Sequence, residues 1–400
     1  MPHEGSSRGF YPPSRKSDAV DVYDGVAIAD PYQWMEDLDT AEVAEWVARQ
    51  NAVTHAHLQG LPLREPFERR LTELWDYPRT GLPVTESGRL FYSRNTGLQR
   101  QSPIYMREGI EGAPVVAFDP NALSPDGARS VSQFAPSPDG RWLAYAVAEG
   151  GADWETVHIR DLEHGTDLPN AVRWMRFSGI SWTLDAKGFF YSRYPAPPAN
   201  KVLEAALAGQ AIYYHRAGTD QSEDVLIYER PDQPSWIVGG LVTEDGRFLL
   251  VSTHKGADNN NQLFVADLGD PVHPDVRARL VPLVETQDAE YSPIGVVGTR
   301  LYVRTDKDAP CRQVLALDLD RPQPDWTIVV AERSDAIENV ALIGGRIVAQ
   351  YLVDVQSRLC VFGLDGVEQA GIALPAVGTV AGLGGRASEP DVWFGFSSPL

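Results

Sequence analysis

From Leu74 onward the chain repeats one local theme about every fifty residues: a turn built on Gly-Arg or Asp-Gly, an apolar strand, a polar turn and a second strand. The copies read Glu86-Ser-Gly-Arg-Leu-Phe-Tyr-Ser-Arg, Ser137-Pro-Asp-Gly-Arg-Trp-Leu-Ala-Tyr-Ala, Leu184-Asp-Ala-Lys-Gly-Phe-Phe-Tyr-Ser-Arg, Glu244-Asp-Gly-Arg-Phe-Leu-Leu-Val-Ser, Gly298-Thr-Arg-Leu-Tyr-Val-Arg and Gly344-Gly-Arg-Ile-Val-Ala-Gln-Tyr. A seventh, weaker copy runs from Gly384-Gly-Arg into Val392-Trp-Phe-Gly-Phe. Asp-Gly supplies the positive φ of a tight hairpin turn, and alternating β-branched and aromatic residues suit a half-buried pleated surface. One such sheet cannot bury both faces, whereas sheets stacked around an axis cover one another. The period therefore predicts a mainly β fold: a seven-bladed β-propeller with four strands per blade, the last blade incomplete at the final residue, Leu400.

The chain's 400 residues fit one large repeat architecture with an amino-terminal appendage rather than several small domains. The 38 aromatic residues (10 Trp, 15 Tyr, 13 Phe) supply strands, and 35 Gly with 30 Pro supply turns. A formal net charge of −20 repels phosphate backbones and anionic lipid, so neither nucleic acid nor a membrane is an expected partner. Cys311 and Cys360 are too few for a disulfide framework and form no C-x-x-C pair; they read as reduced, packed thiols. The first residues lack an apolar signal region, and no run of about eighteen apolar residues follows, so a cytoplasmic location is expected.

Residues 1–17 read as a polar, flexible start and Val20-Asp-Val-Tyr-Asp-Gly-Val as a short strand and turn. From Asp39 the apolar spacing of Ala41, Val43, Ala44, Trp46 and Val47 is helical, with N-cap chemistry at Asp39-Thr40. A second helix is expected from about Glu65 to Trp75. The division expected is 1–17 flexible, 18–73 an amino-terminal segment and 74–400 the propeller. Two helices ahead of a β array belong to a further layer, since blades need no helix to complete their core.

Several strings resemble the amino-terminal half of the prolyl oligopeptidase family of serine peptidases. They are Asp30-Pro-Tyr-Gln-Trp-Met-Glu-Asp, Leu74-Trp-Asp-Tyr-Pro, Tyr92-Ser-Arg-Asn-Thr-Gly-Leu-Gln, Gly151-Ala-Asp-Trp-Glu-Thr, Gly218-Thr-Asp-Gln-Ser-Glu-Asp and Pro231-Asp-Gln-Pro-Ser-Trp. The likeness runs in order from about Tyr23 to Leu400, and the Gly218 string favours the prolyl enzymes over oligopeptidase B. The resemblance implies a segment that packs on a carboxy-terminal α/β-hydrolase domain and a propeller that filters short peptides cleaved after proline. The partners it implies are short proline-containing peptides and that hydrolase domain, in the same or a separate chain. The family's Ser-Asp-His triad lies in the hydrolase part, so no catalytic residue is expected here, and this chain alone is expected to be inactive. A free-standing binding propeller without peptidase activity is the alternative.

The residues themselves agree on the nucleophile. Hydrolases of this type hold a serine on a strained strand-to-helix turn, and Ser87 and Ser178 lie beside glycine in hairpin or strand contexts instead. Three positions match the family's substrate cavity by motif and a fourth departs from it, each with a plainer reading. Phe177 would line the pocket for the substrate's proline region, or be an ordinary core phenylalanine. Trp154 would be a cavity-wall aromatic, or blade packing. Ile237 stands where the family often has methionine, keeping an apolar wall. His254, with Lys255, stands where an arginine would hold the peptide backbone; neither side chain reproduces a planar bidentate fork, so a solvated hairpin tip is the plainer reading. No cofactor or metal is expected: His55 and His57 point to different faces of one helix, and Asp258-Asn-Asn-Asn lacks the continuation of a calcium loop.

Overall fold

A computed structural model describes residues 11–198, 207–321 and 325–398. The chain divides into two compact units, Met1–Tyr77 with Ala196–Leu207, and Pro78–Pro195 with Ala208–Leu400. The expected flexible start lies outside the described residues as far as position 10.

In the first unit Val20–Tyr23 pairs with Val26–Ala29, and the turn between them takes positive φ at Asp24 (50°) and Gly25 (81°), the geometry of a type I′ hairpin. Helix α1 (Ala41–Gln59) starts at Thr40, whose hydroxyl accepts from the Val43 amide; helix α2 (Arg64–Trp75) follows. Residues 12–17 are tied to these elements: Trp34 Nε1 donates to the Arg15 carbonyl at 2.9 Å, Trp46 Nε1 donates to Ser14 Oγ at 2.8 Å, and the Arg15 guanidinium pairs with Glu42 at 2.6 Å. α1 buries only Val43, and α2 leaves Phe67, Leu71, Leu74 and Trp75 more than half exposed. No described helix is long and apolar enough to cross a membrane.

The second unit is a succession of antiparallel arrays, each running strand by strand outward. The first comprises Val84–Glu86, Arg89–Asn95, Ile104–Glu108 and Val115–Phe118, with Arg79–Thr80 added beside its second strand. The second holds Arg129–Pro136, Trp142–Glu149, Glu155–Asp161 and Val172–Met175, and the third Ser181–Trp182, Gly188–Arg193, Ala211–Arg216 and Val225–Glu229. These two join edge to edge at a single register pair, Met175 with Arg193. The fourth (Trp236–Val242, Phe248–Lys255, Asn261–Asp267, Val281–Val284), fifth (Tyr291–Val297, Arg300–Thr305, Gln313–Asp318, Thr327–Val330) and sixth (Ala336–Ile343, Arg346–Val353, Gln356–Phe362, Glu368–Ile372) are separate four-stranded sheets. The seventh has two strands among the described residues, Thr379–Gly384 and Trp393–Ser397.

Five hydrophobic clusters glue the first six arrays, each to the next. Phe91, Ile104 and Phe118 of the first meet Leu143 and Tyr145 of the second, and Val157 and Ile159 of the second meet Phe189 and Tyr191 of the third. Phe190 and Ile212 meet Val238 and Leu249, Phe248 and Leu263 meet Leu301 and Val303, and Tyr302 and Val314 meet Ile347 and Tyr351. Neighbouring residues such as Phe189 and Phe190 thus serve opposite interfaces, because successive strand side chains point to opposite faces. Polar contacts continue the series: Gln350 Nε2 of the sixth array donates to the Val380 carbonyl of the seventh at 3.0 Å, and Arg386, in the turn between the seventh array's two strands, donates to the Thr85 carbonyl of the first at 2.8 Å. The arrays therefore close into a ring, the β-propeller arrangement that the repeat predicts.

The repeated turn is locked by a pattern one step richer than Asp-Gly. Ser137, Thr183 and Thr243 each donate a hydroxyl to the aspartate two residues on, at 2.6, 2.7 and 2.5 Å. Each aspartate also accepts the amide of the following Arg141, Lys187 or Arg247. In the third copy the positive-φ position is Ala186 (54°), not Gly188, which is ordinary strand.

Candidate functional site

The first strand of every array lines the axis. A cavity of about 550 Å³ at one end is bounded by Glu86, Pro136, Trp182, Val242, Val296, Leu342 and Gly384, which are the finishing residues of all seven first strands or lie within one residue of the finish. The first strands therefore all run the same way, and the ring has a strand-start end and a strand-finish end.

All four sequence-nominated residues lie at the strand-start end. Trp154 sits in the turn before Glu155, which pairs with Ala148, itself opposite Ser130 at the beginning of the second array's first strand. Phe177 follows Met175, the partner of Glu155. Ile237 is the second residue of the fourth array's first strand, directly opposite His254. The structure thus brings Trp154 and Phe177 together and Ile237 and His254 together, as two pairs on different arrays.

The first pair is organised by Arg176, which the sequence reading does not single out. Its guanidinium lies 5.5 Å from the Trp154 ring centroid and 4.9 Å from that of Phe177, and pairs with Asp153 at 2.5 Å. Gln210 Nε2 holds the Arg176 carbonyl at 2.7 Å. Trp154 also meets Trp174 and Tyr194 edge to face at 5.9 and 5.8 Å. Trp174 and Phe177 are both left-handed, with φ of 64° and 52°. For bulky residues that conformation costs on the order of 1–2 kcal/mol each and persists only where the surroundings impose it, as they do disproportionately at functional sites. The strain leaves Phe177 52 % exposed instead of placing it in a strand core.

The second pair is a cross-strand contact beside charge. His254 is half-buried, and burial pushes its imidazole below the ordinary value despite the opposing pull of Asp258 and Glu290. It is therefore neutral near pH 7, which removes it as a cationic stand-in for an arginine. Lys255 is exposed. Guanidinium groups do occur nearby along this end: Arg304 pairs with Glu290 and donates to the Glu338 carbonyl at 2.8 Å, and Arg312 lies 3.6 Å from Glu290. Arg230 stacks on Trp236 at 4.5 Å while paired with Asp232 at 2.9 Å. Arg304 ends the fifth copy of the repeat, whereas Arg230 and Arg312 fall in no repeat and only the register reveals them.

Ser178 donates to the Gly179 carbonyl at 2.9 Å and accepts the Ser192 amide at 2.7 Å, so its hydroxyl is engaged with backbone. Ser87 occupies a hairpin turn at φ 51°. One string of Gly-x-Ser-x-Gly form does exist, Gly5-Ser6-Ser7-Arg8-Gly9, and it lies outside the described residues. Cys360 is buried, which raises its thiol pKa, and Cys311 is half-buried; both are free.

The family model described as prolyl oligopeptidase, N-terminal beta-propeller domain, matches residues 11–400. A prolyl endopeptidase of Elizabethkingia meningoseptica is 32 % identical over 389 residues, covering 97 % of this chain and 54 % of its own length. Prolyl oligopeptidase A of Amanita bisporigera is 33 % identical over 429 residues, covering 98 % and 56 %. Among solved structures, prolyl oligopeptidase B of Galerina marginata, bound to a 35mer hydrolysis and macrocyclization substrate, superposes with a TM-score of 0.84 at 28 % identity, over 97 % of this chain and 57 % of its own. The chain spans about half the length of the relatives it matches.

Proposed function

The chain belongs to the prolyl oligopeptidase family, and from that premise we propose that it is the peptide-admitting part of a serine-type endopeptidase cleaving short peptides after proline. Hydrolysis would be carried by an α/β-hydrolase domain, in the same chain or a separate one. The seven arrays are read as seven blades whose strand-start end faces the peptide. The observation that carries this reading is the strained cluster at that end: Phe177 half out in solvent, backed by Arg176 and Trp154. An exposed aromatic face backed by a rigid stack suits a proline ring, which offers apolar area and no N–H donor. Ile237 adds an apolar wall, and the neutral His254 can donate or accept one hydrogen bond. The exposed apolar residues of α2, Phe67, Leu71 and Leu74, support docking of the first unit on the hydrolase domain.

The test is cleavage of a chromogenic proline-containing peptide by the 400-residue chain alone and by the chain joined to the hydrolase portion of its family. The chain alone should be silent and the joined enzyme should cut after proline. Phe177→Ala in the joined enzyme should raise KM with a smaller change in kcat, since the ring binds without touching the reacting bond. Turnover by the chain alone, or an unchanged KM in that variant, would overturn the assignment. Peptide binding by the chain with no cleavage on joining would favour a free-standing binding propeller.

A further inference from the structure

The turn joining the two strands of the seventh array differs from its counterparts. At the strand-finish end the other arrays turn in the two residues 87–88, 298–299 and 344–345, or in the five residues 137–141, 183–187 and 243–247; the seventh uses residues 385–392, eight in all. This strap is fastened at three places. The Gly344 and Gly345 amides of the adjacent sixth array donate to the Arg386 and Ala387 carbonyls at 2.9 and 2.8 Å. Arg386 pairs with Glu86 of the adjoining first array at 2.6 Å. The third fastening is to Glu244, which belongs to the fourth array.

In a ring of seven the fourth and seventh arrays are not neighbours, so a bond between them crosses the axis. Glu244 makes that crossing with four hydrogen bonds, accepting from the Ala387 amide at 2.7 Å, the Ser388 amide at 3.1 Å, Ser388 Oγ at 2.5 Å and Arg386 Nε at 3.3 Å. Burial opposes ionisation of Glu244, yet these donors together hold its carboxyl below the ordinary range, so it grips as an anion. Arg386 is the cation that holds Glu86 and Glu244 together, and both Glu244 and Glu389 act on Glu86 as like charges. Glu389 lies on the strap itself, so without Arg386 the strap would be repelled from Glu86.

We propose that residues 385–391 form a clasp across the strand-finish mouth of the axial channel, held shut by Glu244 and released when that carboxylate lets go. The channel is then entered from the strand-start end while the clasp is closed, whatever its cargo. A hydrogen bond to a charged group is worth enough that losing Glu244's share should raise strap opening about ten-fold or more. Salt should raise it less, because the pairs are partly shielded from solvent.

The experiment places a cysteine in the channel wall below the strap, Ala341→Cys in a Cys311→Ser background of the full chain, and measures its reaction with a bulky poly(ethylene glycol) maleimide. Trypsin cleavage at the Arg386–Ala387 bond is followed in parallel. Glu244→Gln should speed both by about ten-fold, Arg386→Gln should speed the labelling further, and Ser388→Ala should speed both by a smaller factor, with the strand circular dichroism unchanged. The milder Ser388→Ala keeps the test decisive if either charge variant misfolds. Equal labelling in the parent and the variants, or a parent that already reacts as fast as free thiol, would show that the strap closes nothing.

Discussion

Gly246 and Gly140 occupy the same place in two copies of the repeated turn, with nearly the same backbone, φ +73° and +69°. Substituting alanine at either position costs the same for chirality, roughly 1–2 kcal/mol, and recovers roughly 0.4–1 kcal/mol by restricting the unfolded chain. Their surroundings differ. A Cβ at Gly246 would stand 2.5 Å from Leu184 Cβ and 3.1 Å from Leu184 Cδ2 and Pro271 Cβ, and the nearest of these, a Cβ, cannot swing aside without its backbone. At Gly140 the nearest atoms are Ser87 Cβ at 3.3 Å and Arg89 Nη1 at 3.4 Å, which need give way by only a few tenths of an ångström. Overpacking adds roughly 1–3 kcal/mol in the first case and little in the second. Gly246→Ala should therefore destabilise by about 3 kcal/mol and Gly140→Ala by about 1 kcal/mol. Urea unfolding of the full chain, followed by strand circular dichroism, reads the difference as a shift in midpoint at constant slope. In the double variant Leu184→Gly with Gly246→Ala, part of the loss should return, because the Leu184 Cβ that the new methyl meets is gone. Equal costs for the two glycine variants, or additive costs for Gly246 and Leu184, would mean that the third array does not pack under the turn of the fourth.

Three further outcomes follow from the same geometry. The side chain of Asp224 is wholly buried, accepting from Tyr191 Oη at 2.5 Å and contacting His215 Nδ1 at 2.7 Å, so Asp224→Ala should lose about 3–5 kcal/mol in thermal or urea unfolding, whereas a loss under about 1 kcal/mol would show the cluster to be dispensable. The imidazole of His254 has its pKa lowered on folding, so the unfolded chain takes up the proton first as pH falls; stability owed to the neutral ring is full above the ordinary histidine range and drains away below it. Relative to His254→Asn, the parent should lose stability as pH falls below the ordinary histidine value of about 6.5, and parallel curves would refute the shift. Trp154→Phe should keep the cluster's apolar contact with Arg176 and leave the fold stable to within about 1 kcal/mol, while Arg176→Ala should release both rings and weaken binding of a proline-containing peptide by calorimetry; full affinity in that variant would remove Arg176 from the site.

The parts of the molecule that could be read from sequence are those where one chemical rule repeats. The Asp-Gly and Gly-Arg turns announce the arrays because each must reverse the chain in two to five residues, and few residue types can do so. Helix α1 and its Thr40 cap were legible through spacing. The Ser/Thr lock two residues before each turn aspartate was present in the same strings, at Ser137, Thr183 and Thr243, but looks like any polar residue until its hydrogen bonds are seen. In the third copy no Asp-Gly marks the left-handed position, which falls on the buried Ala186. Arg176 and Glu290 were invisible for a different reason: their meaning lies in partners one blade turn or a register step away, not in local composition.

Strand direction explains why the site resisted pattern reading while the scaffold did not. The repeated turns connect first to second strands, so they all fall at the strand-finish end of the ring. The strand-start end is built instead from the turns between second and third strands and from the links between arrays, and these share no motif. Trp154 and the 256–260 turn beside His254 belong to the first class; Arg176 and Phe177, Arg230 and Glu290 belong to the second. Three of the strings through which the chain resembles its family, Tyr92–Gln99, Gly151–Thr156 and Pro231–Trp236, fall at this end as well. The one at the opposite end, Gly218–Asp224, supplies the buried Asp224 and a capping box at Asp220, which are structural duties. The residues proposed to face the peptide therefore gather where the repeat is silent, whereas at the strand-finish end the first-to-second turns keep to two or five residues in every array but the seventh, whose longer turn is the proposed clasp.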